Sequence, residues 1–315
     1  MSGRGTPEQR RGLGSASSIS DFIIAMRSRI HIPARLTATC VKRPEHAAWV
    51  ARLPEILTRL GRQWSLTFGP PFDADEASCS WVAPVELADG APAVFKVGLP
   101  HMESEGEIAG LRFWDGDPTV RLLRADDETG AMLLERCEPG TALRAVPPLD
   151  QDVVIARLLR RAWRPPGASP AFRPLSAMLA TWSGETLAAA ERWPDPEIVR
   201  EGLRLFRELP TSASGDVVLV TDLHAGNALR ARREPWLAID PKPFVGDPAY
   251  DATQHLLNGE ARLRSDPHET IRRFADLLGV DHERVRLWLF ARAAAGPRGD
   301  WTADWTMELA RAIAP

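Results

Sequence analysis

The sequence predicts an α+β fold in two lobes, a small β-rich N-lobe over residues 31–137 and a larger, mainly helical C-lobe over residues 138–315, behind a basic Gly/Ser tail over residues 1–30. Three observations predict it. Between Trp64 and Glu135 the apolar residues fall in short runs rich in Val, Leu and aromatics, broken by Gly, Pro and Asp, as in an antiparallel sheet. After "CEPGTA", at Cys137, the apolar spacing changes to the three-and-four rhythm of helices. A chain of 315 residues also has the length to bury a full core in either one large domain or two lobes.

The elements follow in order. "MSGRGTPEQRRGLGSASS" has almost no large apolar residues, cannot offset its ordering entropy by burial, and is expected to be disordered. The runs "WSLTF", "SWVAPVEL", "PAVFKVGL", "VRLLRA" and "AMLLER" supply the strands. One helix interrupts them: in "MESEGEIAGLRFW" the residues Ile108, Leu111 and Trp114 recur every third position on one side. Helices are then expected over Asp152 to Trp163, Leu175 to Trp193 and Pro196 to Leu209, the last with Val199, Leu203 and Phe206 on one apolar face. Only Val217 to Asp240 returns to strand-like runs. Most of the eleven tryptophans, Trp114 and Trp288 among them, lie in apolar helical patterns and read as core.

Composition removes several function classes. Lys plus Arg number 39 against 42 Asp plus Glu, a balance that gathers neither nucleic acid nor anionic lipid. Phe22 to Met26, the apolar run nearest the N-terminus, is too short for a signal segment or a membrane span. Cys40, Cys79 and Cys137 are widely spaced and odd in number, so neither a disulfide framework nor a cysteine zinc site is indicated, and the seven histidines form no H-E-x-x-H pair. A cytoplasmic monomer without nucleic-acid or membrane partners is expected. G-x-x-x-x-G-K-[ST], G-x-G-x-x-G after a strand, and G-x-S-x-G are all absent.

What remains is an ordered set of polar residues: Lys96 inside an apolar strand, acidic residues on the following helix, then Asp222, Asn227 and Asp240. Phosphoryl transfer from ATP needs a lysine on the phosphates, an acid to hold it, a carboxylate for the attacking hydroxyl and oxygen ligands for magnesium. D-x-x-x-x-N from Asp222 to Asn227 has the catalytic-loop spacing of kinases, and Asp240 follows the run "WLAI" where the second metal-binding aspartate belongs. Taken singly, each residue has a plainer explanation. A lone strand lysine is most often turned to solvent, and Asp and Asn end strands and build turns. His224 has no second His or Cys spaced to join it in holding a metal, and reads as a packing or loop hydrogen-bonding residue.

The stretches "LRFWDGDPTVRLLRADDETGAMLLER", "TDLHAGNAL" and "REPWLAIDPKPFVGDPAYD" resemble the aminoglycoside phosphotransferase superfamily, more narrowly its streptomycin 6-kinase and hydroxyurea phosphotransferase branch, from about His31 to the C-terminus. The resemblance implies a bilobal protein-kinase-like fold, ATP with Mg2+, and phosphorylation of a hydroxyl on a small acceptor. It implies Asp222 as catalytic base, Asn227 and Asp240 as magnesium ligands, and Lys96 on the phosphates. Its acidic partner is expected to be Glu107, which shares a face with Leu111 and Trp114, with Glu103 and Glu105 as alternatives. Glu135 to Cys137 would be the hinge that receives adenine through backbone groups. Two departures stand out: Val220 lies two residues before Asp222, where many relatives carry histidine, and the phosphate-covering loop "DADEASCSWV" contains no glycine.

Aminoglycosides of the streptomycin type lead the expected acceptors, followed by hydroxyurea and amino sugars or sugars. A doubly guanidinylated acceptor needs acidic partners, yet residues 251–315 hold ten acidic residues against nine arginines, a net charge of −1. Asp300, Asp304 and Glu308, four apart, are the one candidate acidic face, and a solvated helix face explains them equally well. Two other readings stand beside the small-molecule kinase. One is a non-catalytic kinase-like nucleotide binder; the other is a protein kinase, disfavoured because no D-F-G with a following A-P-E is present.

Overall fold

A computed structural model describes residues 31–40, 44–72, 79–167, 172–298, 301 and 305–315. The expected N-terminal tail, most of the glycine-free loop, and Asp300 and Asp304 lie outside them. By packing the chain divides into two compact units, Met1–Pro92 and Ala93–Pro315.

The first unit opens with two helices, α1 (Ala34–Cys40) and α2 (Pro44–Gln63), that the sequence patterns did not assign. Pro54 inside α2 reads in sequence as a breaker. Leu53, Ile56, Leu57 and Leu60 recur at helical spacing and are buried, and this face is what holds the helix in spite of it. Strand β1 (Thr67–Phe68) pairs antiparallel with β2 (Ser80–Glu86), with Thr67 opposite Glu86. Trp81 is buried on β2, packs edge-on to Phe68 at 5.9 Å, and donates its indole N–H to the His31 carbonyl at 3.0 Å.

The second unit begins with β3 (Pro92–Gly98), β4 (Leu122–Asp126) and β5 (Ala131–Glu135). β5 pairs antiparallel with both β3 and β4, and Lys96 on β3 lies opposite Met132 on β5. Helix α3 (Glu107–Trp114) follows β3; it starts later than the periodicity suggested, because residues 102–106 form turns. Helices α4 (Pro148–Ala162), α5 (Leu175–Ala188) and α6 (Pro196–Glu208) come next, and the helix expected to reach Trp193 stops at Ala188 before a short 3-10 turn.

Two small strand pairs interrupt the helices: β6 (Val217–Leu219) with β9 (Phe244–Gly246), and β7 (Ala228–Leu229) with β8 (Leu237–Ala238). Helices α7 (Pro248–Leu257), α8 (Glu260–Ser265), α9 (Pro267–Leu278), α10 (His282–Ala295) and α11 (Trp305–Ala312) complete the chain. Trp114 and Trp288 are both buried in one apolar core with Phe206, Tyr250 and Phe274. Gly202 brings α6 close against α10, for a Cβ there would lie 2.8 Å from that of Ala294. Among the described residues no helix is long and apolar enough to cross a membrane.

Candidate active site

Lys96 is 5% exposed and therefore does not face solvent as a lone strand lysine would. Apolar neighbours on β3 carry its stem inward, and its Nζ meets Glu107 Oε1 at 2.6 Å and Oε2 at 2.8 Å. Glu107 opens α3 on the same buried face as Gly110, Leu111 and Trp114, as the helical spacing suggested. Glu103 and Glu105 both precede the helix, and Glu105 pairs with Arg173 instead. Burial pushes the Glu107 carboxyl up against the opposing pull of Lys96.

Asp240 follows β8 in the left-handed region at φ 54°. Its Oδ1 accepts from both Lys96 and Lys242. Burial works against its charge, but the two lysines outweigh it and hold the carboxyl well below the ordinary range. Burial alone would lower Lys242; Asp240, followed by Glu107, raises it instead. The segment reaches α3 because of two glycines four residues apart. A Cβ at Gly106 or Gly110 would lie 2.9 Å from Pro243 Cγ, so the residue after Lys242 lies directly on the helix that carries Glu107.

Asp222 and Asn227 stand in the loop between β6 and β7, with Asp222 turned into a different setting. Its Oδ1 accepts from Gln254 Nε2 at 2.9 Å. Asn227 Nδ2 donates to the Asp222 carbonyl at 2.9 Å and stands 3.5 Å from Oδ2. Burial, and next the negative charge of Asp240, push the Asp222 carboxyl up to about 6. His224 has the loop role anticipated for it, its Nδ1 accepting the Gly226 N–H at 3.1 Å.

The loop is clamped from behind. Val220 gives its N–H to Asp251 Oδ2 at 3.0 Å, and Thr221 gives its own to Asp251 Oδ1 at 2.8 Å. Thr221, β-branched yet at φ 52°, also donates its hydroxyl to the Lys242 carbonyl at 2.6 Å. The Lys242 N–H returns to the Val220 carbonyl at 2.9 Å, which ties the loop of Asp222 to that of Asp240. Asp247 caps α7 through the Ala249 N–H, whereas Asp251 is buried and holds the loop and Trp163 Nε1. Lys242, Asp251 and Gln254 were not singled out from the sequence as parts of this site. The one local sign was "DPKPF" in an otherwise apolar, proline-flanked stretch; contact over long separations leaves no motif for the others.

The hinge residues behave as side chains in ways their positions do not announce. Glu135 is bound by Arg233 Nη2 at 2.8 Å and by the Arg121 N–H at 3.0 Å; burial opposes its charge, and these donors hold the carboxyl below its usual range. Cys137 sits in an apolar cluster with Leu111, Val120, Met132, Leu134 and Leu237, where burial and then Glu135 push its thiol up to about 11.

Asn227 spends its amide N–H on Asp222 and Asp240 Oδ1 takes two lysines, which leaves the Asn227 amide oxygen and Asp240 Oδ2 as hard oxygen donors. That set fits magnesium, which is bound by one or two protein ligands plus phosphates; among the described residues no group of three or more His, Cys, Asp and Glu forms a separate metal cluster.

A lysine locked to a helix glutamate, an aspartate presented with neutral amides and a second, fully ionised aspartate define a kinase, a phosphotransferase with an alcohol group as acceptor. The family model "Aminoglycoside/hydroxyurea antibiotic resistance kinase" matches residues 64–304, and the chain belongs to this family. The chain is 38% identical to streptomycin 6-kinase of Streptomyces griseus over 275 residues, 84% of this chain and 88% of the relative. It is 34% identical to hydroxyurea phosphotransferase of Kitasatospora aureofaciens over 278 residues, 84% and 78% of the two chains. Among solved structures, choline kinase LicA from Streptococcus pneumoniae superposes with a TM-score of 0.59 at 13% identity, over 82% of this chain and 95% of that one; it shares the protein-kinase-like fold.

Proposed function

We propose that this enzyme transfers the γ-phosphate of ATP to a hydroxyl of a streptomycin-like aminoglycoside, with Asp222 as base, Lys96 and Lys242 on phosphate oxygens, and Asp240 with Asn227 as magnesium ligands. The observation that supports it best is the convergence on one place of Lys96, Glu107 and Asp240, with the loop of Asp222 tied to that of Asp240 by the bonds of Val220 and Thr221 to the Lys242 backbone. Glu107 fixes the Lys96 ammonium, so the phosphates meet a charge already in position. Asp222 accepts the proton of the attacking hydroxyl as the new O–P bond forms. A magnesium ion on Asp240 and Asn227 would neutralise the phosphate charge. Adenine is received by the backbone of Glu135 to Cys137.

The acceptor assignment rests on the relatives' names and not on an acidic pocket. Glu308 bonds Arg264 at 3.0 Å on an exposed surface, the solvated-face explanation of that residue, while Asp300 and Asp304 lie outside the described residues. Near Asp222 the charges of Glu103 and Asp240 are opposed by Lys242 and Arg292. The similarity to a hydroxyurea phosphotransferase keeps hydroxyurea as the second acceptor. We read the enzyme as a cytoplasmic monomer.

The test is transfer of label from γ-labelled ATP, with and without magnesium, to streptomycin, other aminoglycosides, hydroxyurea and amino sugars, with products identified by mass. Magnesium-dependent phosphorylation of streptomycin is expected. Transfer to hydroxyurea alone would replace the acceptor, and binding of ATP without transfer to any of them would replace catalysis with nucleotide binding.

A further inference from the structure

We propose that Gln254 and Arg292 form a relay that positions the Asp222 carboxylate, with Gln254 the contacting residue and Arg292 acting through it; the inference rests on the reading of Asp222 as base. Gln254 Oε1 accepts from Arg292 Nη2 at 2.7 Å, and Gln254 Nε2 donates to Asp222 Oδ1 at 2.9 Å. A guanidinium has donors only, so the amide oxygen must face Arg292 and the amide N–H must face Asp222. Arg292 thus dictates which end of Gln254 the base meets.

Arg292 is itself held on every side. Its Nη1 donates to Thr253 Oγ1 at 2.8 Å, and that hydroxyl, on a fully buried threonine, donates to the Tyr250 carbonyl at 2.6 Å. Its guanidinium lies over the Trp182 ring at 5.5 Å and the Tyr250 ring at 5.3 Å from the centroids. Residues from α5, α7 and α10 therefore converge on one hydrogen bond to the base.

The consequence is a choice between the two carboxylate oxygens. Oδ1 is occupied by Gln254, while among the described residues Oδ2 has only the 3.5 Å approach of Asn227 Nδ2. Oδ2 is therefore the oxygen that takes the proton. As the acceptor oxygen bonds to the γ-phosphorus, the bond from that phosphorus to the bridging oxygen breaks, ADP leaves with the electron pair, and the hydroxyl proton passes to Oδ2 and then to water. A neutral amide suits this work because it orients the carboxylate without placing a full positive charge on it.

The relay is tested by steady-state kinetics with streptomycin and, in parallel, by the slow ATPase reaction with water, alongside calorimetric affinity for magnesium ATP. Gln254→Leu is expected to lower kcat about tenfold to a hundredfold with the KM and affinity for ATP unchanged. Gln254→Glu keeps the shape and satisfies Arg292 but at neutral pH sets a second carboxylate against Asp222 in place of a donor, so it should lose at least as much kcat and move the acid limb of the kcat profile to higher pH. Arg292→Met should lower kcat in the parent and have little further effect in the Gln254→Leu background, the non-additivity of residues acting through one contact. Wild-type kcat in Gln254→Leu or Gln254→Glu overturns the relay, and so does an Arg292→Met effect that persists in full without Gln254. Should Arg292→Met fail to fold, the comparison of Gln254→Glu with Gln254→Leu decides alone. Asp222→Asn in the same series separates the two readings: if it keeps its kcat the base assignment fails, whereas loss there with none at Gln254 removes only the relay.

Discussion

Asp222 and Asp240 are the same side chain in one short segment, each at the end of a strand run, and the molecule treats them in opposite ways. Asp240 receives two lysines on one oxygen and is held well below the ordinary carboxylate range, whereas Asp222 receives the neutral amide of Gln254 and rises to about 6. Burial works against the charge in both cases. What differs is the partner: cations make a permanent anion of one, and amides leave the other able to take and release a proton. Pairs of titratable groups driven apart in this way mark the division of labour between an electrostatic ligand and an acid/base group.

The comparison breaks most sharply at Asp240. Asp240→Asn should abolish turnover and remove the magnesium dependence of ATP binding, and at neutral pH it should unfold at a lower temperature, since Lys242 loses its carboxylate partner. The sign follows from the depressed pKa: this stabilisation is present above the unfolded value and is lost as pH falls. An unchanged magnesium dependence, read by calorimetry, would give the metal to another residue.

Asp222→Asn should lower kcat by about two to four orders of magnitude with ATP affinity retained. Here the effect on stability has the opposite sign. A carboxyl raised to about 6, above the ordinary aspartate range, contributes stability that is full below about 4 and lost as pH rises through 6, so at pH 7 the neutral amide should match or exceed the parent in Tm. The two asparagine variants together, one losing Tm and one keeping it, are the direct measure of the contrast.

The pH profile sharpens the same point more gently. Asp222 must be ionised to accept a proton, so kcat/KM should fall about tenfold per unit as pH drops below about 6 and level off above it. A plateau that continues well below pH 5 would show that the carboxyl is not raised in the working enzyme. The smallest effect belongs to Glu308: Glu308→Gln removes only an exposed pair with Arg264 and should leave the KM for streptomycin and the Tm nearly unchanged. A steep rise in that KM would place the C-terminal acidic residues in the acceptor site.

The order of the candidate groups could be read along the chain. Lys96 in an apolar strand, an inward glutamate one helical face later, D-x-x-x-x-N and a second aspartate after a further apolar run were legible because each is a local spacing. Glu107 was favoured by the same means over Glu103 and Glu105, which stayed open until the structure showed both of them before the start of α3. The helices before the strands were not legible, because the proline in α2 masks a face that packing alone sustains. Nor was the second lysine on Asp240, which lies two residues away in a turn whose direction the spacing does not give, nor the buried Asp251 behind the loop and the Gln254–Arg292 pair, which join residues that only folding brings together. Local spacing fixes which groups a strand or helix can present. Tertiary structure decided which of the two aspartates is held low and which is pushed up, because pKa depends on burial and on the charge of whatever lies beside the carboxylate, here a strand lysine and a turn lysine for Asp240 and a helix amide for Asp222.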